Sequence, residues 1–260
     1  MGGYEVPQKV HIATIHTLPK GFTLTEMAIV LIIVGLLMAT IASVGATRTE
    51  IARNNTTEER LYFLLKTIED FIDINGYIPC PAAGNLSTGD ATYGNSVGGA
   101  TDTDCNDGTA NLPERISGLA IGMIPFNDLG LPPAIASDGW NNRFTYVVDE
   151  SFAGHTYYDA NPTADGTIVI RKPSGSTADG VLINNTAVLA IISHGSNGFG
   201  AWRHPEGTRI TYNGGPDDED KNVKDDALTA PYNTNHFVQS RTLLNFDDIV
   251  VYRTRWHLEE

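Results

Sequence analysis

The sequence predicts an α+β protein, one long N-terminal helix followed by an antiparallel sheet in the C-terminal half. Three observations predict it. An uncharged, mostly apolar run of 21 residues lies between Glu26 and Arg48. An amphipathic stretch at three-to-four spacing follows Arg48. Short β-rich runs bounded by turn residues then occupy the second half.

The first element follows from length and charge. At a rise of about 1.5 Å per residue, the run after Glu26 makes roughly 30 Å of helix, the hydrocarbon thickness of a bilayer. Lys9 and Lys20 precede it and acidic residues dominate after it. This polarity predicts a transmembrane first half with a cytoplasmic N-terminus. A cleaved secretory signal is the competing reading, but its apolar core would be shorter and followed by a small-residue cut site, which Ser43 to Ala46 only imitates.

Beyond Arg48, Leu61, Leu64, Leu65, Ile68, Phe71 and Ile72 fall on one helical face, with Glu59, Lys66, Glu69, Asp70 and Asp73 on the other. The helix is expected from about Phe22 to Asn75. Gly76 and Pro79 end it, and the weak helix formers Asn54, Asn55, Thr56 and Thr57 mark a kink or break. Residues 77–139 read as an irregular connection rich in Gly, Pro and Asn-Asp-Gly turns. Cys80 and Cys105 fall in it, and a disulfide between them would close a loop of about 25 residues and stabilise the fold by roughly 3 kcal/mol. A metal site is the alternative, for which two thiols are too few ligands. Strands are expected in the block Asp138–Val148, which starts with a turn and becomes an alternating strand, and at Thr167–Arg171, Ala187–Ser193 and Ile249–Thr254, forming a head over residues 140–260.

A formal net charge of -14, with Lys and Arg spread thinly over 260 residues, argues against direct nucleic-acid binding. No catalytic constellation stands out either. The turn His194-Gly195-Ser196-Asn197-Gly198-Phe199-Gly200 has neither the Lys-Ser/Thr end of a P-loop nor the Gly two residues before Ser of a nucleophile elbow, and reads as a hairpin. His155, His204, His236 and His257 are scattered without ligand spacing. The sequence therefore predicts a non-enzyme with no required cofactor.

Glu26 is the odd residue, because a carboxylate at the edge of an apolar helix calls for a partner. Lys20-Gly21-Phe22-Thr23-Leu24-Thr25-Glu26 and the apolar run after it resemble the N-terminal signature of type IV pilins and type II secretion pseudopilins. The resemblance implies a leader of residues 1–21, removed by a prepilin peptidase between Gly21 and Phe22 with N-methylation of Phe22. It implies a pilin-like fold, with residues 22–47 as a transmembrane and filament-core segment and 48–76 as the amphipathic part of the same helix. Glu26 would meet the N-terminal amine of a neighbouring subunit. Homologous subunits, the peptidase and an inner-membrane assembly platform are the implied partners. The implied place is the bacterial inner membrane, single-pass with a periplasmic head, and then a periplasmic or cell-surface filament. Asp138-Gly139-Trp140-Asn141 is similar to the start of the pseudopilin sheet, with Asn141 where that pattern often has Gly. The Ser-His-Gly-x-Asn-Gly turn is similar to one in some prepilin-like proteins.

Asp217, Asp218, Glu219, Asp220, Asp225 and Asp226 form a dense acidic loop. Hard oxygen ligands at this density suit calcium, and major pseudopilins carry a calcium site in a late loop. A solvated charge run is the plain alternative, since EF-hand spacing is absent. Between pilus and pseudopilus subunit, or a minor, tip-located binding subunit, the sequence leaves the choice open.

Overall fold

The computed structural model describes residues 2, 21–98, 105, 114–153, 164–174, 179–211, 218–224, 234–240 and 246–258, without the side chains of 39–47. These fall into two units, residues 1–48 and 49–260. A helix, α1 (Leu24–Asn75), begins in the first and ends in the second. The strands are β1 (Glu114–Ile116), β2 (Leu119–Met123), β3 (Thr145–Asp149), β4 (Ile168–Arg171), β5 (Leu182–Ser193), β6 (His236–Val238) and β7 (Ile249–Thr254).

Thr23 starts α1. Its hydroxyl and backbone N–H both donate to Glu26 Oε2 at 2.8 Å, and the Glu26 N–H returns to the Thr23 hydroxyl at 3.3 Å. Thr23-Leu24-Thr25-Glu26 is thus a capping box, reciprocal satisfaction of two orphan donors. The expected break at Asn54–Thr57 does not occur among these residues. Asn54 Nδ2 donates to Glu50 O and Thr57 Oγ1 to Arg53 O, so side chains that compete with helix elsewhere here bond back one turn within it.

The expected architecture is corrected. Among the described residues no helix is long and apolar enough to cross a membrane. Side chains 39–47 of the expected span lie outside the described residues. What is described, Leu24–Met38, is about 15 residues or about 22 Å of helix, short of the roughly 30 Å required. The transmembrane first half and the single-pass inner-membrane placement are therefore unsupported. Nor do the long helix and the sheet make one unit, since residues up to Arg48 form a separate one. The sheet is not purely antiparallel either: β4 and β6 run parallel, so the antiparallel, pilin-like head gives way to a mixed seven-stranded sheet.

The sheet runs β1-β2-β3-β5-β4-β6, with β7 also on β5. The twelve-residue β5 organises it. Its Leu189–Ile192 pair with β3, while on the other side Leu182–Ala187 pair with β4 and Ala187–Ser193 with β7. Register shifts in β4·β5 and β5·β7 mark where that side divides. Strands β1 and β2 lie inside the stretch read as irregular. Their five apolar residues, Ile116, Leu119–Ile121 and Met123, are interrupted by Ser117, Gly118 and Gly122, too short and glycine-rich a signal to stand out.

Both faces of the sheet are covered, so β3 is buried along its whole length and does not alternate. Leu61, Leu64, Leu65, Ile68 and Ile72 of α1 pack with Tyr146, Val148, Leu189 and Ile191 on one face. Val147, Ile192, Val250, Phe237 and Trp202 fill the other. Phe71, expected on the buried stripe, is only half-buried and packs edge-on against Tyr77 at 5.3 Å.

The turn before β3 seats the helix. A Cβ on Gly139 would lie 2.3 Å from Arg53 O, so only glycine lets the two backbones approach. The Gly139 N–H donates to Thr57 Oγ1 at 2.9 Å, and Arg60 Nη1 donates to Ser137 O at 2.6 Å. Buried Asp138 holds the turn, accepting from the Trp140 and Asn142 N–H groups and from Ser193 Oγ. Asn141 sits at φ 69°, the left-handed region that Asn tolerates better than other side chains.

Cys80 and Cys105 form the expected disulfide, with Cα atoms 5.4 Å apart. Arg143, 1 % exposed, draws the same region together by donating to Gly84 O, Leu86 O and Pro205 O, its guanidinium 4.8 Å above the Tyr93 ring.

Leu64→Ala is expected to destabilise the sheet-containing unit by about 2–5 kcal/mol, read as a lower denaturant midpoint at unchanged slope. A loss no larger than that of an exposed Tyr62→Ala control would contradict the packing of α1 described above.

Candidate functional site

The chain's polar chemistry gathers at one end of β5 and β7. Ser193 pairs with Ile249 in the antiparallel ladder, so the turn that follows β5 lies beside the residues that precede β7. His194, Ser196 and Asn197 come from the first, Asp247 and Asp248 from the second. Glu219 joins them from the segment 218–224, which is buried at every residue.

One carboxylate oxygen from each of Glu219, Asp247 and Asp248 lies within 4.8 Å of the others. Neutral donors hold them in place. Ser196 Oγ and the Asn197 N–H donate to Asp247 Oδ2 at 2.8 and 2.9 Å. Asn197 Nδ2 bridges Asp247 Oδ1 and Glu219 Oε2 at 2.8 and 3.1 Å, and Asn222 Nδ2 donates to Asp248 Oδ2 at 2.8 Å. Burial, with Asp247 nearby, raises the Glu219 pKa to about 7. Burial also pushes Asp248 well up, and the Glu219 and Asp247 charges add to it. Such a group can hold a proton or a metal cation.

His194 completes the surroundings. Its ring is fully buried, Nε2 shares a hydrogen bond of 2.9 Å with Thr145 Oγ1, and Nδ1 stands 3.9 Å from Asp248 Oδ2. Burial, with Arg209 second, lowers its pKa to about 3 and keeps it neutral. Hydroxyl, imidazole and carboxylate thus occur in the order of a nucleophilic relay. Yet Thr145 and His194 are each 0 % exposed, which gives a substrate no approach to the hydroxyl.

Beside the cluster is a cavity of about 450 Å³, lined by Glu50, Asn54 and Glu58 of α1 and by Trp140, Phe246 and Asp247 among others. Trp140 Nε1 donates to Glu50 Oε2 at 3.1 Å across it.

The residues expected to hold calcium are not those that converge. Asp217, Asp225 and Asp226 lie outside the described residues. Asp218 is buried against Lys221 Nζ at 3.3 Å and accepts from the Ser174 N–H at 3.0 Å. Asp220 is buried but is not among the three carboxylates that meet. Segment 218–224 is therefore an internal strap and not a solvated loop. Asn222 bonds both the N–H and C=O of Val238, at 2.7 and 2.9 Å, and Lys224 Nζ donates to His236 O at 2.7 Å. The turn after β5 is not the expected hairpin either, since the partner beside it is β7, far along the chain.

Gly21 and Phe22 are exposed just before α1, and Glu26 stands in the capping box. The leader, apart from Gly2 and Gly21, lies outside the described residues. No family model matches the chain, and no curated protein and no solved structure matches it.

Two measurements check the strap. Asn222→Ala is expected to cost about 1–3 kcal/mol, because it strands buried backbone groups of Val238; a loss within the noise of exposed substitutions would refute the bonding described. Lys224 is fully buried 4.5 Å from the Phe237 ring centre, and burial lowers its pKa from the ordinary 10.5 to about 7. Between those two pH values the unfolded chain binds a proton that the folded chain does not. Stability should therefore rise with pH above about 7, by up to about 1.4 kcal/mol per unit. Lys224→Met is expected to flatten that slope in denaturant titrations.

Proposed function

We propose that this chain is a structural subunit that is processed at its N-terminus and assembles through α1, of the pilus or secretion-pseudopilus kind its N-terminal motif resembles. The observation that carries the reading is the surface of the described part of α1 before Met38. Phe22, Leu24, Ile32 and Leu36 are 81, 91, 70 and 71 % exposed, and Ile29, Leu31, Leu37 and Met38 are also exposed. A monomer rarely leaves so much contiguous apolar surface uncovered, and such a surface marks an association site. At about 25 cal/mol per Å², covering it with a like helix is strongly favourable.

In this reading a prepilin-type peptidase cuts between Gly21 and Phe22, and Phe22 is N-methylated. Glu26 is the one carboxylate on the apolar rod. The new amine of an adjacent subunit neutralises it, and pairing both charges fixes the stagger between neighbours. The capping box supports this assignment by holding the Glu26 carboxylate at the helix start, beside where that amine would arise. Homologous subunits and an assembly platform are the partners, and neither catalysis nor a cofactor is required.

A second reading, a minor tip subunit whose head binds a surface, a glycan or a secretion substrate, draws on the cavity beside Trp140 and Phe246. Stoichiometry separates the two, since a tip subunit is rare in the filament.

Mass spectrometry of the mature chain is expected to find methyl-Phe22 at the N-terminus. An intact Met1, or a cut near Ala46, would overturn the proposal. Glu26→Gln is expected to leave the fold unchanged by circular dichroism and to reduce recruitment into filaments at least tenfold; unchanged recruitment would remove Glu26 from assembly.

A further inference from the structure

We infer that residues 49–60 carry a two-sided electrostatic contact, through which the acidic flank of one copy of this chain docks on the basic flank of the next. The inference names a second contact for the assembly proposed above and rests on that reading for its partner. Two cavities carry it. Glu50, Asn54 and Glu58 recur at every fourth residue of α1 and line the cavity of about 450 Å³ together with Asp247. Arg53, Thr56 and Arg60 line a different cavity, of about 350 Å³, bounded also by Gly139 and Asn141 of the turn before β3. Among the described residues no basic side chain lines the first. Asp138 is the one carboxylate on the second, and its oxygens already accept from Trp140, Asn142 and Ser193.

The helix keeps the two flanks apart. At about 100° per residue the two rows stand roughly 130° from one another around the axis. Thr57 falls between them, and its hydroxyl receives the Gly139 N–H at 2.9 Å. The turn before β3 therefore rests on α1 along the line that divides acid from base. One neighbour cannot reach both flanks past that turn, so each flank takes a different copy. A contact between unlike faces does not close as a two-fold pair does; repeated, it builds a ring or a filament.

The charges are available for exchange. Glu58 is exposed and has no ion-pair partner among the described residues. Arg60 donates only to the carbonyl oxygens of Ser137 and Asp138, at 2.6 and 3.3 Å, so its charge is oriented but not neutralised. Arg53 and Glu50 stand 3.5 Å apart with side chains 44 and 49 % exposed, a pair that contributes little in water and yields to a better partner. Copies of a chain with a formal net charge of -14 repel one another in most orientations. That repulsion is screened beyond about 8 Å at physiological salt, so direct contact of acid with base selects the docking orientation.

Sedimentation velocity of the unprocessed full chain in non-ionic detergent reads this contact while the detergent covers the apolar run. Reversible self-association is expected of the wild-type chain. Arg53→Glu and Glu58→Arg are each expected to weaken it at least tenfold with unchanged circular dichroism. An equimolar mixture of the two variants is expected to recover to within about threefold of wild type, because every junction of an alternating row then sets acid against base. Arg60→Gln keeps a donor for Ser137 but removes the charge; it is expected to weaken association at least threefold, and it covers the case in which a charge reversal fails to fold. A monomeric wild-type chain, full association in any of the three variants, or a mixture no stronger than its components would each overturn the contact. None of these readings depends on cleavage before Phe22, so an unprocessed N-terminus would sink the processing proposal and leave this contact standing.

Discussion

The sheet-containing unit depends on one contact, the apolar stripe Leu61–Leu64–Leu65–Ile68–Ile72 laid against Tyr146, Val148, Leu189 and Ile191. A sheet whose opposite face is already filled by Trp202, Phe237 and Val250 must be covered on both sides. No other described helix is long enough to do it. The polar details around the stripe serve that contact: Gly139 permits the close approach, Thr57 and Arg60 bond the turn, and Asp138 holds the turn in shape. Position along α1 also divides its work, because the large apolar side chains described between Leu24 and Met38 are exposed.

The second theme is burial of polar groups on condition that they are bonded. Arg143 and Asn222 each sit nearly out of solvent and bind backbone groups that loops and edges leave open. Lys224 meets a carbonyl and a ring face; its proton is correspondingly loose. The carboxylate cluster is the exception, since the side chains that donate to it from Ser196, Asn197 and Asn222 are neutral, and that imbalance makes it the candidate site.

Local signals in the sequence located what is local. The three-to-four spacing found the α1 stripe, Gly76 marked its end, and β-branched runs found β3, β4, β5 and β7. The cysteine pair was legible because a long loop without periodicity calls for a tie. What misled was charge and apolarity read without geometry. The run Asp217–Asp220 drew the eye by density, but carboxylates meet where strands bring them, and Asp247 and Asp248 reach Glu219 through the Ser193–Ile249 register. The Thr-Leu-Thr-Glu capping box was present in the sequence, eclipsed by the resemblance that explains Glu26 otherwise. His194 carried no signal at all, because an orphaned ring nitrogen exists only in three dimensions.

The strap has a consequence for how copies of this chain can join. In the parallel pair with β4, Asn235 and Gln239 bond inward, so His236 and Val238 turn their backbone groups outward at the end of the sheet. Asn222 and Lys224 occupy those groups as a strand would. At the opposite margin β1 is three residues long, with Glu114 and Arg115 ion-paired to Arg209 and Glu150. A guest strand thus finds the β6 rim already engaged and the β1 rim brief and charged. Templated strand exchange is disfavoured at these two margins, which leaves the outer side of β7 as the third rim of the sheet.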